Sequence, residues 1–291
     1  MDTDMRSSMQ RLIQFFMRCI TITFVVLFLV LPLYVILSEA TGEGMSVFFR
    51  AVTHQETLQA LTLTICTLFI ILPLNILFGI AAAWTLTKYE FRGKSVLSAL
   101  IDLPFSVPPV IAGFILILFL GRHGTLGFLL EKLDTQIIFA APAVIVATLF
   151  VTFPFVAREL VPLMQEQGVD EEQAAVSLGA SAFQTFFHVT LPNIKWALFY
   201  GIILSTARAM GEFGAVSVVS GHIRGKTITL PLHIEILYNE YNFTAAFAVS
   251  SLLVTLAMST LVVKEIVYWR SGKKQTRPTG GFLESPETPD L

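Results

Sequence analysis

Apolar runs separated by short polar stretches give this chain its rhythm. Six stand out: Cys19–Leu37, Leu58–Leu86, Val96–Leu120, Ile137–Phe155, Trp196–Val219 and Thr244–Val267. A hydrocarbon layer about 30 Å thick asks for about 20 apolar residues per helix, so each run predicts one membrane-spanning helix. Ser38-Glu39-Ala40, after the first run, has the small-residue look of a signal-peptidase site. An apolar stretch of about 18 residues is nevertheless longer than the roughly 7–15 of a signal core, which favours a retained span. The expected architecture is an all-α integral membrane bundle of six spans over residues 19–270, preceded by a cytoplasmic segment 1–18. The tail 271–291, rich in Pro, Gly, Thr and Glu, has the composition of a disordered segment.

Composition agrees with the pattern. Of 291 residues, 54% are hydrophobic and 14% charged, with a mean hydropathy of +0.72. Soluble domains are not built this way. A net charge of −2 offers no basic field to nucleic acid. Cys19 and Cys66 lie in apolar runs and read as packing residues rather than a redox or metal pair. His54, His123, His222 and His233 are scattered over loops and His188 lies between spans four and five, so no pair has metal-ligand spacing and no metal site is expected. Without a Ser/His/Asp cluster, a His-Glu-x-x-His or facing carboxylates in the spans, an enzyme is not expected either.

Lys and Arg outside the spans or at their ends set the orientation. With the N-terminus inside, the inner segments carry Arg6, Arg11, Arg18, Lys88, Arg92, Lys94, Arg158, Lys195, Lys264, Arg270, Lys273, Lys274 and Arg277. The outer loops carry Arg50, Arg122, Lys132, Arg224 and Lys226, so the balance is 13 against 5 and both termini are expected in the cytoplasm. Trp84, Trp196 and Trp269 fall at the inner ends of spans, at headgroup level. Arg224 and Lys226 read either as solvated loop charges or as a contact for an acidic partner surface.

One inner segment breaks this pattern. Between spans four and five, the segment 159–195 is long, and its middle holds Glu166, Asp170, Glu171 and Glu172 with no basic residue. Asp170 is expected as an N-cap, with Gln173 completing a capping-box spacing and Glu171 and Glu172 in the first turn, where the helix dipole favours negative charge. Ala174 and Ala175 keep one face narrow, and Gly179 suits a helix stop. A second helical run, 180–189, presents Phe183, Phe186 and Phe187 as an apolar stripe and is expected to end at Pro192. A helical loop and a docking element for a cytosolic partner both fit these residues.

The segment resembles the EAA loop of ABC-importer permeases: Glu-Ala-Ala, three residues, Gly, nine residues, Ile, one residue, Leu-Pro. Here Gln173, Ala174, Ala175, Gly179, Val189, Leu191 and Pro192 occupy those places, with Gln173 for Glu and Val189 for Ile. Glu172 is a neighbouring source of the missing charge, but one residue turns it by about 100° on the helix. Three further stretches, Asp102-Leu-Pro-Phe-Ser-Val-Pro-Pro-Val-Ile-Ala-Gly113, Phe153-Pro-Phe-Val-Ala-Arg-Glu-Leu-Val-Pro162 and Ala207-Arg-Ala-Met-Gly-Glu-Phe-Gly-Ala215, are similar to the sulfate and molybdate permeases. The loop Ser220-Gly-His-Ile-Arg-Gly-Lys226 with Leu230-Pro-Leu-His-Ile-Glu235 resembles the CysW type of sulfate/thiosulfate importers.

That resemblance implies a six-helix bundle of the type I ABC-importer (MetI-like) permease fold with a cytoplasmic coupling helix that sits in a groove of an ATPase subunit. It implies sulfate and thiosulfate import into the cytoplasm across a bacterial inner membrane, with molybdate or tungstate as the nearest alternative. The implied partners are a second permease of the CysT/CysU kind, a CysA-like ATPase dimer and a periplasmic sulfate/thiosulfate-binding protein. No Gly-x4-Gly-Lys-Ser/Thr is present, so this chain would bind no cofactor itself, and ATP and Mg would be used by the partner. The two three-span halves show no obvious repeat of the kind secondary transporters carry.

Two features inside the spans call for a reason. Arg208 and Glu212 share a helix face at i, i+4, and each charge near the bilayer centre costs roughly 2.5–3.5 kcal/mol on insertion scales. They read either as an internal salt bridge or as pathway and gate residues, with Arg208 offering an oxyanion a planar donor fork. Pro104, Pro108 and Pro109 interrupt the third span, which is expected to bend or break there. Pro108, Pro109 and Gly113 then line either the pathway or a helix contact. Asn75 in the second span is expected to bond between helices, and Gly79 with Ala81–Ala83 to form a tight contact.

Overall fold

The computed structural model describes residues 2–133 and 135–270. The tail 271–291 lies outside the described residues. In chain order the helices are α1 (Asp2–Val25), α2 (Leu31–Thr41), α3 (Met45–Val52), α4 (Gln55–Lys88), α5 (Lys94–Ser106), α6 (Pro109–Leu120) and α7 (Gly127–Lys132). There follow α8 (Ala141–Gln167), α9 (Asp170–Ser177), α10 (Ala182–Thr185), α11 (Leu191–Met210), α12 (Gly214–Val219), α13 (Leu230–Asn239) and α14 (Phe243–Arg270).

Four helices among the described residues are long and apolar enough to cross a membrane: Leu12–Thr41, Gln55–Lys88, Ala141–Gln167 and Phe243–Val263. The third and fifth runs are broken instead. α5 and α6 meet at a bend of 113° around Val107-Pro108. α11 ends at Met210, and the expected fifth span resumes as α12 only after Gly211–Phe213. The fourth helix also extends well beyond Phe155, through Pro154 and Pro162 to Gln167, so the start of the expected loop is helical.

Two Leu-Pro pairs share a solution. Leu31-Pro32 and Leu191-Pro192 each follow a π turn, Val26–Val30 and Phe186–Thr190, in which the leucine N–H reaches back to Val26 O or Phe186 O. A proline donates no hydrogen bond and its ring crowds the carbonyl four residues back. Widening the preceding turn absorbs both effects. Contrary to the expectation from sequence, Pro192 therefore does not end the second helical run. It sits in the first turn of α11, and residues 182–210 form one continuous rod.

α4, α8 and α11 form the centre of the bundle. Val156 is clasped on α8 by two glycines: a Cβ at Gly79 would lie 2.4 Å from its Cγ1, and one at Gly201 would lie 3.0 Å from its Cα. Lipid tails are as apolar as these side chains, so close packing and polar links hold the helices together, not exclusion from water. Asn75 supplies such links as expected. Its Nδ2 donates to Thr152 Oγ1 at 2.9 Å and to Ser205 Oγ at 2.8 Å, joining α4, α8 and α11 at bonds worth about 0.6 kcal/mol each in bilayers. Cys19 and Cys66, read from sequence as packing residues, are both exposed on the outside of the helices. An apolar run in a membrane does not say which face a residue takes.

Candidate functional site

α9 begins one residue earlier than expected. Val169 is its N-cap, Asp170 its first helical residue, and no side chain caps it. The capping box belongs to the next helix, where Ser181 Oγ accepts from Gln184 N and the Gln184 side chain accepts from Ser181 N. Gly179 closes α9 as expected, with φ +90°. Gly179 N–H bonds Val176 O at 2.9 Å and Ala180 N–H bonds Ala175 O at 3.0 Å, a Schellman ending that favours glycine.

The acidic first turn of α9 is turned towards the chain itself. Glu172 Oε2 lies 2.5 Å from Lys88 Nζ at the end of α4, and its Oε1 accepts from Thr190 Oγ1 at 2.7 Å. Glu171 accepts from Asn193 Nδ2. Gln173 and Ala174 face outward, Ala175 and Val189 are half-buried, and Pro192 is exposed. Leu191 packs against the buried Leu160, Met164 and Ile194 group. Outward too go Val176, Leu178 (90% exposed), Phe183 and Phe187, an apolar patch beside Gln173 at this end of the molecule. Phe186 of the expected stripe turns in, 5.8 Å from the Trp84 ring.

The two broken spans meet. α6 packs on α12, and the glycines mark the seam. A Cβ at Gly113 would lie 2.8 Å from Ala215 O and 2.9 Å from Val218 Cβ, and one at Gly214 would lie 2.9 Å from Pro109 Cβ. Pro108 is the N-cap residue of α6 and Pro109 its first residue. Glu212 holds the other break. Its Oε1 accepts from Ala215 N–H at 2.8 Å in the first turn of α12, and its Oε2 lies 2.6 Å from Arg208 Nη1. The glutamate side chain is 1% exposed and the arginine 31%, so the anion is buried and the cation reaches an open surface. Thr64, Thr67, Thr148 and Thr229 line the same small internal space as Glu212.

At the opposite end of α4 lies a cluster that sequence spacing did not reveal. Arg224 Nη1 bonds Glu56 Oε2 at 2.9 Å, and its Nη2 bonds Glu240 Oε1. Its guanidinium is thus engaged within the chain rather than free in a loop. Arg50, His54 and His233 line the adjoining cavity of about 320 Å³. His233 is buried and its Nε2 lies 3.0 Å from Thr57 Oγ1. Burial holds its imidazole below the usual histidine range, partly opposed by Glu56. The partners are 168 and 16 residues apart, too distant for any local motif to join. Two of the stretches read as similar to oxyanion permeases do touch: Arg158 Nε bonds Asp102 Oδ1 at 2.9 Å, and its guanidinium stacks 4.4 Å from the Phe105 ring.

Comparison with known proteins is consistent with this geometry. Residues 75–267 match the family described as binding-protein-dependent transport system inner membrane component. The sulfate transport system permease protein CysW of Synechococcus elongatus is 47% identical over 88% of this chain and 89% of its own length. The protein of that name from Escherichia coli is 44% identical over 86% of each. A solved bacterial ABC transporter involved in import of the acidic polysaccharide alginate superposes with a TM-score of 0.77 at 15% identity, covering 92% of this chain and 99% of that one. The last likeness is one of fold.

Proposed function

The chain belongs to the binding-protein-dependent transport system inner membrane components, within their CysW-type group, and from that premise we propose that it carries sulfate, and thiosulfate with it, into the cytoplasm as one permease subunit of an ATP-driven importer. The observation that carries this reading is identity of 44–47% along nearly the whole length of two sulfate permeases. The α9 end is the cytoplasmic end, as the balance of basic residues argues, and both termini lie there. Gln173, Val176, Leu178 and Phe183 form the face that meets the ATPase, because they are exposed while Glu171 and Glu172 are bonded inward. ATP and Mg are bound by that partner. A CysT-like second permease completes the pore, and a periplasmic binding protein delivers the anion to the opposite end.

Arg208 faces the pathway and Glu212 does not touch the ion. The carboxylate is committed to Ala215 N–H and to Arg208, whereas the arginine retains an open side. Pro108, Pro109 and Gly113 act indirectly, by fixing α6 against the break that Glu212 holds. Uptake of radiolabelled sulfate in a bacterial strain lacking its own sulfate permease tests the assignment. Expression of this chain with its partners restores uptake, and excess thiosulfate suppresses it more strongly than excess molybdate. Suppression by molybdate alone overturns the choice of ion. Arg208→Gln should abolish uptake while leaving the assembled complex intact, and loss of assembly would instead make the pair a structural pin.

A further inference from the structure

α9 is joined covalently to α8 and α10, yet its firmest polar contact is with neither. Lys88, the last residue of α4, has a side chain only 9% exposed, facing a Glu172 side chain that is 17% exposed. Besides Glu172 Oε2 at 2.5 Å, Lys88 Nζ donates to Gly168 O at 2.6 Å, where α8 ends. Gly168 has φ +67° and ψ −149°, a conformation open to glycine and strained for other residues, so the link from α8 into α9 is a turn rather than a stiff rod. Thr190 and Asn193 bind Glu172 and Glu171 from the far side, at the root of α11. The acidic turn of α9 is thus held between the ends of α4 and α11.

We propose that Lys88 is a positioning residue for coupling: it ties α9 to α4, so that a displacement of α9 is delivered to the second span as well as to the fifth. This rests on the ATPase-facing role proposed above for α9. A charge-assisted pair withdrawn from water resists separation far more than an exposed one. Without the lysine, α9 loses this direct tie to α4 and reaches it through the glycine turn and the length of α8, or by way of Thr190 and Asn193 and the packing of Phe186 on Trp84. The tie enters α4 at one terminus of a 34-residue helix whose other terminus holds Glu56 against Arg224. α4 thus offers a continuous helix, with Pro73 inside it, along which a push received on the cytoplasmic side can travel.

The test uses the complete importer in proteoliposomes, with ATP hydrolysed and sulfate taken up measured together. Lys88→Ala and Glu172→Gln should raise the ATP spent per sulfate by roughly 5–150-fold, the range that coupling free energies span, with the ATPase still co-purifying. Lys88→Arg keeps the charge and the second donor, and should bring the ratio back towards the parent. An unchanged ratio in Lys88→Ala would overturn the proposal. So would loss of the ATPase from the purified Lys88→Ala complex, which would mark the pair as a structural pin. A parent complex that carries no ATPase at all would overturn the coupling role of α9 itself, a separate and recognisable failure.

Discussion

The third and fifth spans are both broken, and they are broken by different physics. At Val107-Pro108 the cause is stereochemical. Pro109 follows Pro108, the residue before a proline avoids helical angles, and no N–H is present to continue the ladder. At Gly211–Phe213 there is no proline. A buried carboxylate takes over, accepting the Ala215 N–H that the interrupted helix leaves without a carbonyl, while Arg208 offsets its charge. The first break is written into the backbone and stands alone. The second is held by a side chain that must itself be stabilised, so it can be lost by one substitution. The seam of Gly113 and Gly214 ties the two together.

The largest expected effect is therefore at Glu212. Glu212→Ala strands the Ala215 N–H, empties the space of a fully buried side chain and leaves Arg208 without its partner, at a cost of about 3–5 kcal/mol. Thermal unfolding of the detergent-purified complex should show the loss. Glu212→Gln keeps an acceptor for Ala215 and should fall between. A Glu212→Ala complex that melts no lower than the parent would mean that the second break is as self-sufficient as the first. Next in size comes the seam. Gly113→Ala sets a methyl group against the backbone oxygen of Ala215, which cannot rotate aside, and should cost about 1–3 kcal/mol. Gly214→Ala presses on Pro109 across the same contact. The double variant should cost less than the sum, because the first methyl already parts the helices. Full additivity would show that the two breaks are independent.

How much of this was legible in the sequence follows the same division. Pro108 and Pro109 announced the break in the third run because a proline acts on its own backbone, whereas Pro104, expected to interrupt the run with them, lies inside a continuous α5. The fifth run read as one span, since Arg208 and Glu212 announce a charge pair at i, i+4 but not that the carboxylate has turned to the chain three residues ahead. Gly179 was legible as a helix end, for its positive φ is a local need. Pro192 misled, because a π turn in residues 186–190 shelters it within a continuous helix. The inward bonding of Glu172 was hidden, since its partner Lys88 lies far back in the chain and nothing in the local pattern joins them. The same holds for Arg224 with Glu56.

The smallest effect tests the claim that the third break is self-sufficient. Pro108 is exposed at φ −55° and ψ 136°, angles that alanine adopts freely, and its carbonyl still accepts from Ala112 N–H. Pro108→Ala should therefore change stability by only about 0.4–1 kcal/mol, through the freedom of the unfolded chain. The bend should survive, because the substituted residue still precedes Pro109 and is kept out of helical angles. Spin labels at the exposed Val96 and Leu118, one on each side of the bend, read this out as a distance. The single variant should keep the parent distance. Pro108→Ala with Pro109→Ala removes both constraints and should lengthen it as α5 and α6 straighten towards one rod. A lengthened distance in the single variant would show that the third break, like the fifth, depends on what surrounds it.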